Sequence, residues 1–165
     1  MTELSLAFAL QTPADLHAIQ KLEERAFGPG RFAKTAYRLR EGIAPDLSLS
    51  TIARIGGMLV GACTLTRIAV GGAPALLLGP LTVEEPFRAR GVGEALAQRS
   101  LDAAKAAGHG LVLLVGDPPF YERMGFVRAA WGQFMFPGPV DPGRILFYEL
   151  QPGAGEACRG PVTSG

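Results

Sequence analysis

Leu4, Leu6, Phe8 and Leu10 alternate with Ser5, Ala7 and Ala9, the period-two pattern of a half-buried strand. Thr12-Pro13 with Asp15 then marks a helix start, because threonine can cap and proline fits the first turn. Leu16, Ile19, Leu22, Glu23 and Ala26 keep helical spacing up to Gly28. Pro29-Gly30 breaks that run, and Arg31 to Glu41 predicts a second short helix ended by Gly42 and Pro45. Its Arg31, Lys34, Arg38 and Arg40 read as a solvated basic face.

Three strands follow in quick succession. Leu47 to Ile55 and Met58 to Ala69 are joined by Gly56-Gly57, and Gly71-Gly72 leads into Ala75 to Val83. Two-residue turns join only antiparallel neighbours, so residues 47–83 form a meander. Gly79-Pro80 interrupts the third strand. Proline cannot donate to a ladder and glycine weakens one, so the pair marks a bulge or a free edge. The helix 91–107 carries Val92, Ala95, Leu96, Ala103 and Ala104 on an inward stripe. After Gly108, Leu111 to Val115 is near-continuously apolar, which predicts a buried strand parallel to 75–83. His109 then lies at the sheet end away from the loop and is structural. Pro119 to Met124 predicts a short helix, Phe126-Val127 begins a strand, and Ile145 to Leu150 forms the last one. Residues 1–151 read as a single domain, and 152–165, without apolar periodicity, as a flexible tail.

Composition narrows the function more than the fold. A net charge of +1 gives no basis for a nucleic-acid partner. No run of 18 apolar residues and no basic leader segment occur, so neither a membrane span nor export is expected. Cys63 and Cys158 lack paired spacing and read as free thiols in a reducing cytoplasm. His17 and His109 alone make no metal site.

The chemistry sits between the third strand and the helix. Arg88-Ala89-Arg90-Gly91-Val92-Gly93 feeds a helix N-terminus, where unpaired N–H groups and the helix dipole suit an anion. Gly91 and Gly93 permit a tight turn and close backbone approach, and Arg88 and Arg90 add positive charge. The loop lacks the Gly-Lys-Ser/Thr ending of a triphosphate site. It also lacks the third glycine and the later acidic residue of a dinucleotide fold. The preceding antiparallel meander likewise disfavours a Rossmann oxidoreductase.

Two motifs in order carry a resemblance. The loop matches Arg/Gln-x-x-Gly-x-Gly/Ala at every fixed position, and Phe120-Tyr121-Glu122-Arg123-Met124-Gly125-Phe126 matches Phe-Tyr-x-x-x-Gly-Phe. On these the chain resembles the GNAT superfamily of acetyl-CoA-dependent N-acetyltransferases over residues 4 to 150. Gly30 to Arg40 and Val115-Gly116-Asp117-Pro118 are similar to its YhbS-like branch, although many relatives carry Asn in place of Asp117.

The resemblance implies an α/β fold with a mixed, mainly antiparallel sheet of six or seven strands, splayed between the fourth and fifth. Pantetheine would fill that gap against main-chain groups of Leu81, Thr82 and Val83, and backbone N–H groups from Ala89 to Glu94 would hold the pyrophosphate. Arg88, Asp117 and Tyr121 complete the cofactor-binding set, and the side chain of Glu94 must point outward. An amine would attack the thioester directly, with no metal. A backbone N–H near Thr82 would stabilise the oxyanion, and Tyr121 would protonate the departing sulfur. The general base is open between Glu23, Glu24, Glu84 and water. The acceptor is shaped by segments 27–45 and 130–144, where Trp131, Phe134 and Phe136 line a pocket or a dimer contact. A monomer and a homodimer both fit. A non-catalytic acyl-CoA-binding module is the competing reading, because no carboxylate stands in the middle of the fourth strand.

Overall fold

The computed structural model describes residues 5–28 and 35–164, apart from the side chain of Tyr37. Expectations for Leu4, Pro29-Gly30, Arg31 and Lys34 fall outside the described residues. The first strand, β1 (Leu6–Leu10), is followed by a 3-10 turn (Pro13–Asp15) and α1 (Leu16–Phe27). The Asp15 carboxylate accepts hydrogen bonds from the Thr12 amide at 2.8 Å and the Thr12 hydroxyl at 3.0 Å, fixing the helix entry. Then come α2 (Thr35–Arg40), β2 (Thr51–Ile55), β3 (Met58–Val70) and β4 (Ala73–Val83). Both hairpin turns need two residues of positive φ, and their glycines supply it: 55° and 84° at Gly56-Gly57, 56° and 83° at Gly71-Gly72. The meander is antiparallel throughout.

The second half adds α3 (Val92–Ala106), β5 (Leu111–Val115), α4 (Pro118–Glu122), β6 (Val127–Arg128), β7 (Phe134–Met135) and β8 (Ile145–Glu149). Sheet order is β1-β2-β3-β4-β5-β8-β6. Only β4 and β5 in that path run parallel, as a strand–helix–strand crossover requires. The fold is thus a mixed α/β sheet, mainly antiparallel. Among the described residues no helix is long and apolar enough to cross a membrane.

α3 covers one face, burying Val92, Leu96, Ala97, Leu101 and Ala104 against Cys63, Leu65, Leu76, Val112 and Leu114. Ala95 and Ala103, expected on that stripe, lie at its margins; the buried line runs instead through Ala97, Ser100 and Leu101. The other face receives α1 through Ile19 and Leu22, and α2 through Leu39. His109 lies in the turn between α3 and β5. Burial, then the charge of Arg67, holds its pKa below the ordinary value, with Asp46 opposing.

The C-terminal segment corrects the sequence reading. Instead of a flexible tail, residues 152–164 form α5 (Ala154–Ala157) and β9 (Gly160–Thr163). β2 follows β3 only as far as Cys63, and β9 takes the vacant edge further on, pairing at Ala69 and Val70. Val162 is 1% exposed, and Gly71 N–H donates to the Pro161 carbonyl at 2.8 Å. A four-residue strand with one buried side chain leaves no periodicity to read. Removing residues 152–165 exposes Val162's pocket and a ladder edge. Burying a valine contributes about 1.5–3 kcal/mol, and about 2–4 °C of melting temperature follows each kcal/mol at this size. Truncation after Gln151 is therefore expected to lower the melting temperature by about 4 °C or more, read by circular dichroism; an unchanged melt would show that the docking contributes nothing.

Candidate active site

β4 and β5 pair only at Leu76–Val112 and Leu77–Leu113. Beyond these residues they diverge. The peptide Gly79-Pro80 is cis, and Thr64 of β3 faces both residues, a bulge between the pairs Leu65–Leu78 and Cys63–Leu81. The expected bulge and the expected free edge therefore occur together. The gap opens a cleft of about 740 Å³, lined by Leu78 to Val83 on one lip and Val115, Gly116 and Asp117 on the other.

Main-chain groups alternate sides along a strand. The Val83 carbonyl accepts a 2.9 Å hydrogen bond from Arg88 Nε, so it turns away from β3, whereas Glu84 N–H donates to Val60 of β3 at 2.8 Å. The alternation gives Leu81 and Val83 to the cleft and Thr82 to β3. The Thr82 amide therefore faces its register partner Ala62, and the amides near it that face the cleft are those of Leu81 and Val83. Arg88 is tied to the lip as well as lining the cleft.

The loop after β4 is a 3-10 turn (Glu85–Arg90) ending at Gly91, whose φ of 74° and ψ of 10° lie in the left-handed region. The first α3 hydrogen bond is Ala95 N–H to the Gly91 carbonyl at 3.0 Å, so the Val92, Gly93 and Glu94 amides have no intrahelical acceptor. Gly93 lines the cleft, and a Cβ there would meet Phe120, Val83 and Leu81 at 3.6–3.8 Å. Ala89 and Arg90 are exposed, with the Arg90 guanidinium 5.7 Å from the Phe87 ring centroid. Val92 is buried in the core. The Glu94 carboxylate points outward to Arg123 at 3.6 Å.

α4 places Tyr121 on the opposite lip. Its amide donates to the Asp117 carbonyl at 3.2 Å, and its ring meets Phe120 and Phe126 edge-on at 4.9 and 5.6 Å. A Cβ on Gly116 would stand 2.5 Å from Tyr121 Cε2, so glycine is what lets the ring lie there. Among the described residues the hydroxyl has no hydrogen-bond partner. Burial, then the neighbouring acids Cys63 and Asp117, raises its pKa above the ordinary tyrosine value. Burial likewise pushes the Cys63 thiol up to about 12, with Ser100 partly opposing, so it is no nucleophile at neutral pH. Asp117 is exposed at the mouth.

The cleft is not lined by Glu23, Glu24 or Glu84. Glu84 is held by Arg25 at 2.7 Å, and Glu24 faces Lys21 at 3.6 Å on the surface. Of the two alternatives for the aromatics of segment 130–144, the pocket is not met: Trp131 is 86% exposed, Phe134 is buried against Phe147, and Phe136 packs on that core cluster. None of the three lines the cleft. Residues that sequence reasoning missed do so: Ala26 and Phe27 of α1, Thr35 and Arg40 of α2, and Pro139, Asp141 and Arg144. The Thr35 hydroxyl donates to the Pro139 carbonyl at 2.7 Å, joining segments 104 positions apart. Arg144 Nε donates to the Gly116 carbonyl at 3.1 Å. The segments 27–45 and 130–144 pointed to all of these residues except Ala26, which lies one position before the first segment.

Comparison with known proteins agrees with this geometry. A family model described as "Acetyltransferase (GNAT) domain" matches residues 47–128. The chain is 32% identical over 124 residues to the "Uncharacterized N-acetyltransferase YhbS" of Escherichia coli strain K12, covering 73% of each chain. It belongs to the GNAT acetyltransferase family. Among solved structures, E. coli YhbS in complex with CoA superposes with a TM-score of 0.83 at 26% identity, over 99% of this chain and 91% of that one. A GNAT family acetyltransferase from Brucella melitensis in complex with acetyl-CoA gives 0.64 at 25%, over 88% and 97%.

The Tyr121 environment makes a measurable demand. A raised folded pKa keeps the phenol protonated; its contribution to stability is present below the unfolded value of ~10 and is lost as pH rises through the folded one. Ultraviolet titration of the three tyrosines should therefore show one ionising late, and that component should vanish in Tyr121→Phe. A late component that persists in the variant would assign the shift to another tyrosine.

Proposed function

We propose that this chain is an N-acetyltransferase that binds acetyl-CoA in the β4–β5 splay and passes the acetyl group to a primary amine by direct attack. The observation that carries the reading is the open edge of Leu81 and Val83, which leads straight to the N-terminus of α3. An extended amide-bearing arm adds to that edge as a strand would, and its pyrophosphate meets the free amides of Val92, Gly93 and Glu94. The CoA and acetyl-CoA complexes of the two structural relatives support the same ligand.

In this reading the Leu81 or Val83 amide stabilises the oxyanion. Tyr121, held neutral by burial, donates its proton to the departing sulfur and recovers one from solvent. Inert Cys63 and the exposed Asp117 leave direct attack as the simplest course. Cys63 and Cys158 are free thiols, which suits a reducing cytoplasm. The acceptor is a small-molecule or peptide amine, and acyl groups longer than acetyl remain compatible with the cleft.

Calorimetry with acetyl-CoA tests the site. The wild type should bind, and Gly93→Val should fold but bind about tenfold or more weakly, because its methyls occupy the approach to the helix amides. Equal affinity in a folded Gly93→Val protein would place the cofactor elsewhere. For chemistry, coenzyme A release is followed across a panel of primary amines. Tyr121→Phe should lower turnover about 10²-fold or more with little change in acetyl-CoA affinity. Binding without turnover on any amine would identify a non-catalytic acyl-CoA-binding module instead.

A further inference from the structure

We infer that the side-chain hydroxyl of Thr82 is the group that receives the acceptor amine. Thr82 is 3% exposed, and its Oγ1 is buried with no hydrogen-bond partner. A buried hydroxyl without a partner is costly, so one that persists at a cleft wall calls for a partner that arrives with a ligand. Gln11 Oε1 is the other such atom among the described residues. Gln11 does not line the cleft; its amide nitrogen bridges the Thr51 and Cys63 carbonyls deep between strands. Thr82 does line the cleft.

Its direction follows from the register. Leu81 and Val83 point towards α3, each within 3.8 Å of a Cβ built on Gly93. Thr82 points to the opposite face, beside its register partner Ala62, which packs with Ile19 and Leu22 of α1. There it shares the cleft wall with Ala26 and Phe27 at the end of α1. The cofactor edge and the α3 amides lie on one side of the splay, and the Thr82 hydroxyl lies on the other, one residue from each edge group.

That placement, together with a cleft into which Glu23, Glu24 and Glu84 do not reach, defines a task. The hydroxyl oxygen accepts a hydrogen bond from one N–H of a neutral primary amine, leaving the nitrogen lone pair free to point at the acyl carbon. The N–C bond forms to give a tetrahedral oxyanion, whose collapse breaks the C–S bond. The nitrogen loses one proton to water, and the sulfur gains one from Tyr121, which recovers it from solvent, so the proton balance closes. Thr82 thus favours an unhindered primary amine in its uncharged form, because burial beside Ala26 and Phe27 penalises an ammonium, and the carboxylates that line the cleft, Asp117 and Asp141, belong to other segments.

The inference rests on the acetyl-transfer reading, and its test keeps the two apart. Thr82→Val removes the hydroxyl while keeping the shape, and Thr82→Ser keeps the hydroxyl. Melting temperature, acetyl-CoA affinity by calorimetry, and coenzyme A release with methylamine as the probe are measured for both. Thr82→Val is expected to melt no lower than wild type, since no protein hydrogen bond is lost, and to bind acetyl-CoA within twofold. Its methylamine kcat/KM should fall tenfold or more, carried mainly by KM, while Thr82→Ser stays within threefold. A crystal of the coenzyme A complex soaked in methylamine should show the amine, or a water in its place, within hydrogen-bond reach of Oγ1. A lower melting temperature in Thr82→Val would mean that the hydroxyl has a protein partner and would overturn the inference. So would unchanged kcat/KM, equal losses in the two variants, or an Oγ1 with no amine or water beside it. Failure of the wild type to bind acetyl-CoA at all would instead sink the acetyl-transfer reading.

Discussion

Past Leu77 and Leu113 the parallel ladder between β4 and β5 stops, leaving a row of main-chain donors and acceptors without a neighbouring strand. Backbone polar groups away from water need partners. One such partner on the β4 lip is the Arg88 guanidinium, which donates to the Val83 carbonyl. The cause is local. Proline at position 80 has no N–H to donate, and the extra residue opposite Thr64 turns the strand out of register. Because β3 still holds β4 on its other side, the gap opens without loosening the sheet. The same strand that loses its ladder runs on into the turn before α3, so an open edge and a helix N-terminus end up in line.

That half of the site was legible because it is written in backbone. Glycine pairs, a proline inside an apolar run and a Gly-x-Gly before a helix each constrain main-chain geometry directly, so their sequence signal survives without knowledge of the fold. The detail left open was which backbone N–H near Thr82 faces the cleft. A one-residue alternation decides which lip groups face the cleft, and that depends on the register with β3, which the bulge shifts. Sequence spacing alone carries no such register.

The other half was barely legible. Its wall is made by side chains from α1, α2 and the segment before β8, brought together by contacts such as Thr35 to Pro139, 104 residues apart. Residue type misled where direction mattered. Phe134 turns into the core against Phe147, while Trp131 stands 86% exposed, so an aromatic-rich segment contributed no aromatic to the cleft. The last residues failed for a related reason. β9 is stabilised by an edge that β2 leaves uncovered, a property of β3 and not of the segment itself.

This division has a chemical consequence. The open β4 edge and the N-terminus of α3 present main-chain groups whose charge never changes with pH. Two acids in the depth of the splay are kept uncharged by burial, the Tyr121 phenol, which is pushed up, and the Cys63 thiol, pushed to about 12, while Arg40, Arg88, Asp117, Asp141 and Arg144 also line the cleft. That depth disfavours an ammonium, since desolvation penalises the charged form of an amine as it does that of a phenol or thiol. In the proposed reaction, the same burial that keeps Tyr121 able to give a proton therefore helps the incoming nitrogen to arrive without one. A carboxylate base at that depth would carry the same desolvation penalty on its own charge, and the carboxylates that line the cleft are Asp117, exposed at its mouth, and Asp141.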